Sequence, residues 1–213
     1  MSNTKRGIFI AFEGIDGAGK SSQISLLSSK LIAEGIQIYD TFEPTNSPIG
    51  SVIRQMMSGR IQGAHETIAA LFVADRVDHL LNSTNGILSK IERGVSVISD
   101  RYYFSSYAYH SAHIDMDWVI SANSISANIL RPDINLFIDV PPEVCIERLE
   151  KARFHFDIYE NLAAIREVRK NYLNAFKKLQ DHENIVIIDG NGEIQDIRSR
   201  IWHVVEPYFN AHY

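Results

Sequence analysis

A run of eight residues after the first apolar segment carries the most specific chemical pattern in this sequence. Residues 14–21, Gly-Ile-Asp-Gly-Ala-Gly-Lys-Ser, fit the motif G-x-x-x-x-G-K-[ST]. In this motif the glycines let backbone N–H groups point at phosphate oxygens, Lys20 reaches the outer phosphates, and the Ser21 hydroxyl can hold Mg²⁺. The alternative is a glycine-rich turn that only joins a strand to a helix. Because a predicted strand precedes the motif and a predicted helix follows it, we predict a nucleoside-triphosphate site.

An acidic and a basic residue follow a later apolar segment. Residues 95–99 are predicted to form a strand, and Asp100 and Arg101 come directly after it. P-loop enzymes place a carboxylate at this position to hold Mg²⁺, and a guanidinium beside it is suited to an anionic phosphoryl group. A local Asp–Arg pair at the end of a strand is the alternative.

An aromatic and a basic residue lie four positions apart in a predicted helix. Phe72 and Arg76 therefore share one helix face, so that a ring and a guanidinium project into the same volume. A nucleobase can stack on Phe72 while Arg76 meets a phosphate or the base edge. The simpler interpretation is a core phenylalanine beside a surface arginine. Glu43 and Pro44 follow another predicted strand and start a turn, in which Glu43 is expected to face the ligand.

A third basic segment lies between two predicted helices. Residues 152–157 are Ala-Arg-Phe-His-Phe-Asp. We predict that a short lid of about residues 150–160 closes over the triphosphate here, with Arg153 stabilising the charge of the transition state. A solvated turn between helices is the alternative.

Short apolar segments alternate with helical ones along the chain. The predicted strands are residues 7–13, 36–42, 95–99, 134–140 and 184–189. The clearest predicted helices are residues 20–34, 65–81, 159–179 and 194–208. Strands that are almost wholly apolar and alternate with helices indicate a parallel sheet covered on both faces. We predict a three-layer α/β/α P-loop fold with a five-stranded parallel sheet, which binds its ligands beyond the carboxyl ends of the strands.

Composition limits the class of protein. The chain has 213 residues, 21 of them Lys or Arg and 26 Asp or Glu, which gives a formal net charge of -5. This length predicts one domain, residues 1–213, and the mild acidity argues against a dedicated nucleic-acid binder. The single cysteine, Cys145, is typical of a reducing compartment. Because no apolar stretch is long enough to cross a membrane, we expect a cytoplasmic protein.

Among P-loop proteins the sequence excludes guanine-specific GTPases, since it has no Asn-Lys-x-Asp loop. Motor and transport ATPases usually need a longer chain. A compact P-loop domain with a second, phosphate-accepting pocket fits better.

Taken in order, these segments resemble the thymidylate kinase family over roughly residues 7–205. The matching segments are residues 12–23, 43–44, 71–76, 100–109, 131–140 and 188–190. The P-loop alone is shared by many families. Far more specific are Leu-Phe-x-Ala-x-Arg at residues 71–76 and Asp-Arg-Tyr-x-x-Ser-x-x-Ala-Tyr at residues 100–109. The resemblance implies that ATP and dTMP react to give ADP and dTDP, with Mg²⁺, in a homodimer with a mobile lid.

The resemblance also implies a role for individual residues. Asp16 is implied to bond the 3′-hydroxyl of the acceptor sugar, and Tyr109 to crowd the 2′-position and so favour deoxyribose. Phe72 is implied to stack on thymine, while Arg76 and Arg101 hold the dTMP phosphate or base edge.

The complete set of implied site residues falls into four groups. The ATP site comprises Gly14, Ile15, Asp16, Gly17, Ala18, Gly19, Lys20, Ser21 and Ser22. The acceptor site comprises Asp16, Glu43, Pro44, Phe72, Arg76, Arg101, Ser106 (which contacts the base) and Tyr109. The catalytic residues are Lys20, Arg101 and Arg153, and the Mg²⁺ site comprises Ser21 and Asp100.

The sequence departs from the family pattern in the P-loop, where Gly17 carries no basic side chain. Members of that type place arginines in the lid, where Arg153 is the obvious candidate, with Arg148 and Lys151 upstream.

Two alternatives to this function remain. A deoxynucleoside kinase, which phosphorylates a neutral hydroxyl, needs a carboxylate base, and Glu43 is a candidate. Arg76 and Arg101 argue against it, because a neutral acceptor does not call for two extra cations. A regulatory subunit that binds nucleotide without catalysis is disfavoured by the intact Lys20 and Ser21.

Overall fold

The computed structural model describes residues 6–152 and 162–210. Within these residues the strands are β1 (Phe9–Glu13), β2 (Ile38–Phe42), β3 (Ser96–Asp100), β4 (Ile134–Asp139) and β5 (Ile185–Asp189). The helices of the first half are α1 (Lys20–Ala33), α2 (Pro48–Met57), α3 (His65–Leu81) and α4 (Ile87–Glu92). Those of the second half are α5 (Tyr103–His110), α6 (Met116–Ala122), α7 (Ser124–Ile129), α8 (Pro142–Ala152), α9 (Leu162–Leu179) and α10 (Ile194–Asn210).

The five strands form one parallel sheet in the order β2-β3-β1-β4-β5. β1 lies at the centre, and every residue of it is buried. This agrees with its almost wholly apolar sequence, because a central parallel strand is covered on both faces. β2 and β3 lie on one side of β1, and β4 and β5 on the other. The connections therefore reverse direction beside β1, and in open parallel sheets this point carries the ligand crevice.

Helices cover both faces of the sheet, as predicted. α1 packs against β1, β2 and β3 and against α10. α5 and α9 pack against each other. Aromatic rings join α9 to β4 and α5: Phe176 lies 5.0 Å from both Phe137 and Phe104. Side-chain layers of this kind hold the strand ends rigidly, so the loops that follow them start from fixed positions.

The predicted strands and helices are confirmed, with shifts of at most two residues at the ends that the structure describes. The predicted start of the helix at residue 159 lies outside the described residues. α3 has the predicted bounds, whereas β3 extends one residue further and includes Asp100. α2 was not delimited from the sequence, although its start has a local cause. The Ser47 side chain accepts a hydrogen bond from the Gly50 N–H, and Pro48 occupies the first turn. Among the described residues, no helix combines the length and apolarity that a membrane span requires.

Candidate active site

The phosphate-binding loop joins the buried strand β1 to α1. The loop needs glycine at residue 17, whose φ is +81°. A Cβ there would lie 2.6 Å from the carbonyl oxygen of Cys145 in α8, far closer than such atoms approach. The missing basic side chain at Gly17 thus has a steric reason in this chain: α8 occupies the space that a side chain would need.

Lys20 is the first residue of α1, and only 7% of it is exposed. Its Nζ donates to the carbonyl oxygens of Gly14 (3.1 Å) and Ile15 (3.3 Å). Burial, and then the nearby charge of Arg101, lower the pKa of Lys20 to about 8. A cation held in this way over the loop gains strongly from a phosphate ligand, because burial has already removed much of its hydration.

Ser21 and Asp100 meet although 79 residues separate them. The Ser21 hydroxyl donates to Oδ2 of Asp100 at 2.8 Å, because parallel pairing sets Asp100 beside Phe12 at the carboxyl ends of the strands. Two oxygen ligands of this kind suit Mg²⁺. In the described part of the chain no cluster of three or more His, Cys, Asp or Glu side chains could hold a metal by itself.

Arg101 links the end of β3 to the phosphate-binding loop. Its Nη1 donates to the carbonyl oxygen of Gly14 (3.2 Å), and its Nη2 donates to Oδ1 of Asp16 (2.6 Å) and to the Tyr109 hydroxyl (3.1 Å). The Tyr109 hydroxyl donates in turn to Oδ2 of Asp16 at 2.9 Å. Arg101 has φ +74°, a strained conformation for a residue with a side chain, which persists only where the surroundings enforce it.

The charges of this cluster support each other. Although burial opposes ionisation of Asp16, the charges of Arg101 and Lys20 lower the pKa of its carboxyl group. Asp16 thus stays an acceptor-only carboxylate at neutral pH, and 43% of its side chain remains exposed to the cleft.

Arg76 lies in a different setting from Arg101, because only 1% of its side chain is exposed. Its Nε and Nη2 donate to Oε2 of Glu43 at 2.8 and 2.6 Å, and its Nη1 bonds Asn123. Glu43 is equally buried and also lies 3.1 Å from Nδ1 of His79. Glu43 lies below the surface and holds Arg76, and its contact with the acceptor stays a prediction. The Glu43–Pro44 peptide bond is cis.

Phe72 of α3 and Ser106 of α5 are the residues predicted to contact the acceptor base. Phe72 is half-buried, and its ring lies 5.0 Å from the ring of His110. Ser106 is buried, and its hydroxyl has no hydrogen-bond partner in the described part of the protein. The simpler interpretation of Phe72 and Arg76, a core phenylalanine beside a surface arginine, is therefore wrong. Arg76 is the core residue, and the ring of Phe72 is the more exposed of the two.

Arg153 and most of the predicted lid lie outside the described residues. Arg148 of α8 is described, and its guanidinium approaches the carbonyl oxygens of Gly17 (3.5 Å), Ala18 (3.4 Å) and Gly190 (3.3 Å). It therefore adds a cation beside the phosphate-binding loop.

Known proteins match this chain over most of its length. The family model described as thymidylate kinase matches residues 12–201 of this chain. The chain belongs to the thymidylate kinase family. It is 35% identical to a protein of Thermococcus gammatolerans named "Probable thymidylate kinase", over 94% of this chain and 96% of that protein. It is also 35% identical to the "Thymidylate kinase" of Nitrosomonas eutropha, over 97% of this chain and 96% of that protein.

For a member of this family, sequence reasoning missed several residues that build the site. The Tyr172 hydroxyl accepts from Arg101 and donates to Glu13, and Asn123 accepts from Arg76. Asp75 accepts hydrogen bonds from the backbone N–H and the hydroxyl of Thr45 (2.7 and 2.6 Å), and so fixes the turn after β2. Glu13 alone gave a signal, as a carboxylate that ends an otherwise apolar strand.

The pKa of Lys20 predicts a pH dependence. In the free enzyme Lys20 loses its charge as pH rises through about 8, so kcat/KM for ATP should fall there. Between this pKa and the ordinary value of 10.5, the unfolded chain binds more protons at this site. The contribution of Lys20 to the free energy of unfolding therefore rises with pH in that interval.

A pH profile of kcat/KM for ATP tests this in wild type and Lys20→Arg. The guanidinium of Lys20→Arg stays charged over the whole pH range. The profile of this variant should therefore lack the fall in kcat/KM above about pH 8, whatever its absolute rate. The same fall in kcat/KM in both proteins would show that a group other than Lys20 titrates.

Proposed function

We propose that the cleft at the carboxyl ends of β1 and β3 transfers the γ-phosphoryl group of ATP to dTMP, giving ADP and dTDP. The observation that carries this proposal is the position of Arg101, whose guanidinium is tied to both Gly14 and Asp16 of the phosphate-binding loop. A cation beside the loop that binds the triphosphate is required because the acceptor phosphate is a second anion, which the triphosphate repels. Family membership agrees, since thymidylate kinases catalyse this reaction.

We propose that the donor side is built from the loop and its metal ligands. Backbone N–H groups of residues 14–22 bind the ATP phosphates, with Lys20 on the outer ones. Ser21 and Asp100 would hold Mg²⁺, which supplies charge neutralisation between the phosphates when bound. The hydrogen bond between these two side chains supports the pairing.

On the acceptor side, Phe72 is proposed to stack on thymine and Ser106 to contact its edge. The buried, unpartnered hydroxyl of Ser106 supports this role, since a buried polar group without a partner is costly unless a ligand completes it. Asp16 bonds the 3′-hydroxyl, and Arg101 binds the dTMP phosphate. The charge of Arg76 is already neutralised by Glu43, so Arg76 is proposed to contact the edge of the thymine base.

The mechanism that we propose relies on charge placement. The attacking atom is an oxygen of the dTMP phosphate, which is ionised at neutral pH, so no general base is needed. Lys20 and Arg101 offset the repulsion between two polyanions and stabilise the charge that spreads over the transferring group. Arg153 is proposed to be the third catalytic cation, beside Lys20 and Arg101, and to lie in the lid. We propose that the chain is a single domain, and the family resemblance supports a homodimer.

The deoxynucleoside kinase alternative, with Glu43 as base, is not favoured. A general base must come within hydrogen-bond reach of the proton that it removes. Both carboxylate oxygens of Glu43 are occupied by Arg76 and His79, and only 4% of the residue is exposed.

The decisive experiment is an ADP-release assay over a panel of acceptors. We expect dTMP to be the best acceptor and thymidine to give no ADP above background. Including dUMP and the other nucleoside monophosphates measures the base preference directly. Phosphorylation of thymidine without that of dTMP would refute the proposal in favour of the alternative.

Tyr109 provides a test of deoxyribose preference. We expect Tyr109→Ala to let ribothymidine monophosphate compete, lowering the ratio of kcat/KM for the deoxy over the ribo acceptor by roughly tenfold. Tyr109→Phe is the matched control, since it keeps the ring and loses only the hydroxyl that bridges Asp16 and Arg101. It should lower the rate with both acceptors and preserve their ratio. An unchanged ratio in Tyr109→Ala would remove Tyr109 from this role.

A further inference from the structure

We propose that Glu13, the last residue of β1, is a positioning residue that sets the orientation of the Arg101 guanidinium toward the acceptor phosphate. This inference rests on the proposed function, because it takes Arg101 as the group that binds dTMP. Glu13 does not face the cleft itself: it is fully buried beneath Arg101.

Both carboxylate oxygens of Glu13 are used. Oε1 accepts a hydrogen bond from the backbone N–H of Tyr102 at 2.9 Å. Oε2 accepts from the hydroxyls of Ser105 (2.6 Å) and Tyr172 (3.0 Å). A buried carboxylate costs folding free energy unless such donors compensate it, and here all three donors belong to groups that adjoin Arg101.

The hydroxyls of Ser105 and Tyr172 also accept hydrogen bonds from Arg101. Its Nη1 donates to the Ser105 hydroxyl at 2.9 Å and to the Tyr172 hydroxyl at 3.3 Å. An ionised carboxylate only accepts hydrogen bonds, so a hydroxyl that donates to Glu13 keeps its oxygen lone pairs for Arg101. The two hydroxyl oxygens also lie 2.7 Å apart, where either can donate to the other. Glu13 thus favours the orientation in which these hydroxyls accept from the guanidinium.

Glu13 also fixes the backbone next to Arg101. Its bond to the Tyr102 N–H anchors the peptide that follows the positive φ of Arg101, and the Ser99 hydroxyl donates to the Arg101 carbonyl oxygen on the same turn. An unfavourable backbone conformation needs such neighbours to persist. Burial raises the pKa of Glu13, and the Ser105 hydrogen bond and the Arg101 charge oppose that rise.

The test variant is Glu13→Gln, which keeps the shape but offers one acceptor oxygen where two are used. Its amide N–H₂ must face either the Tyr102 N–H or the two hydroxyls, and either choice disturbs Arg101. We expect kcat/KM for dTMP to fall about 10- to 100-fold, through both a higher KM for dTMP and a lower kcat. The KM for ATP should stay near the wild-type value, because the hydrogen-bond partners of Glu13 are Tyr102, Ser105 and Tyr172, and none of these belongs to the phosphate-binding loop.

A matched control is Glu183→Gln. Glu183 is also a buried carboxylate that accepts from a tyrosine hydroxyl, that of Tyr103 at 2.7 Å. It precedes β5 and so lies at the amino end of an edge strand, whereas the cleft lies at the carboxyl ends of β1 and β3. Its loss therefore tests burial and stability alone. We expect unchanged KM for dTMP in this variant. Equal changes of KM in the two variants would overturn the positioning role.

Tyr172→Phe and Ser105→Ala extend the test should Glu13→Gln fail to fold. Each deletes one of the hydroxyls that Glu13 orients, and each should raise the KM for dTMP without changing that for ATP. Unchanged dTMP kinetics in both would overturn the inference.

Arg101→Ala separates this inference from the proposed function. If Arg101→Ala leaves the KM for dTMP and kcat unchanged, the proposed role of Arg101 itself fails. If Arg101→Ala impairs dTMP use whereas Glu13→Gln does not, only the positioning role of Glu13 fails.

Discussion

Replacing Lys20 by methionine should reduce kcat by about 10²–10³-fold, which corresponds to about 2.7–4 kcal/mol of transition-state stabilisation. Methionine keeps most of the buried volume of a side chain that is 7% exposed, so the change removes mainly the charge. That charge lies over the carbonyl oxygens of Gly14 and Ile15, where a triphosphate would meet it in a poorly hydrated site. Interactions of this kind act most strongly where water is excluded.

The measurement is a single-turnover rate with saturating ATP and dTMP, beside a thermal unfolding curve. Lys30→Met is the matched control. Lys30 lies on the same helix, but it pairs with Glu34 and sits 3.9 Å from the Trp202 ring centroid, away from the loop. We expect Lys30→Met to keep its turnover. A near-wild-type kcat in Lys20→Met would contradict the assignment of the phosphate-binding loop.

Replacing Arg101 by alanine should have an effect of the same size, about 10²–10³-fold in kcat, accompanied by a higher KM for dTMP. Of the two acceptor-side arginines, Arg101 is the one whose side chain is partly exposed, at 17% against 1% for Arg76. Its loss leaves Asp16 without its closest counter-charge and the acceptor phosphate without a cation beside the loop.

Arg101→Lys refines this prediction. It keeps a positive charge but not the planar fork that reaches Gly14 and Asp16 together, so it should recover only part of the loss. Arg131→Ala is the control: Arg131 forms an ion pair with the buried Glu183 at 3.3 Å, remote from the cleft. Steady-state kinetics varying dTMP at fixed ATP provide the measurement. An Arg101→Ala enzyme with wild-type KM and kcat would exclude Arg101 from the acceptor site.

Arg76 shows why the chemistry of a residue can be predicted while its environment cannot. Its spacing from Phe72 correctly places both on one helix face, but the spacing contains no information about depth. Burial of Arg76 depends on Glu43, 33 residues earlier, and on Asn123, 47 residues later. Only chain folding brings these partners together, and without them a buried guanidinium would be too costly.

Local patterns determined the sheet, the phosphate-binding loop and the family, because strand and helix periodicity and the P-loop motif each span a few neighbouring residues. The tertiary structure alone decided how the site is supported. Glu13 reaches Tyr172 across 159 positions, and Ser21 reaches Asp100 across 79. Such contacts depend on strand order and register, which no local pattern contains, so the residues that support the site emerged only from the fold.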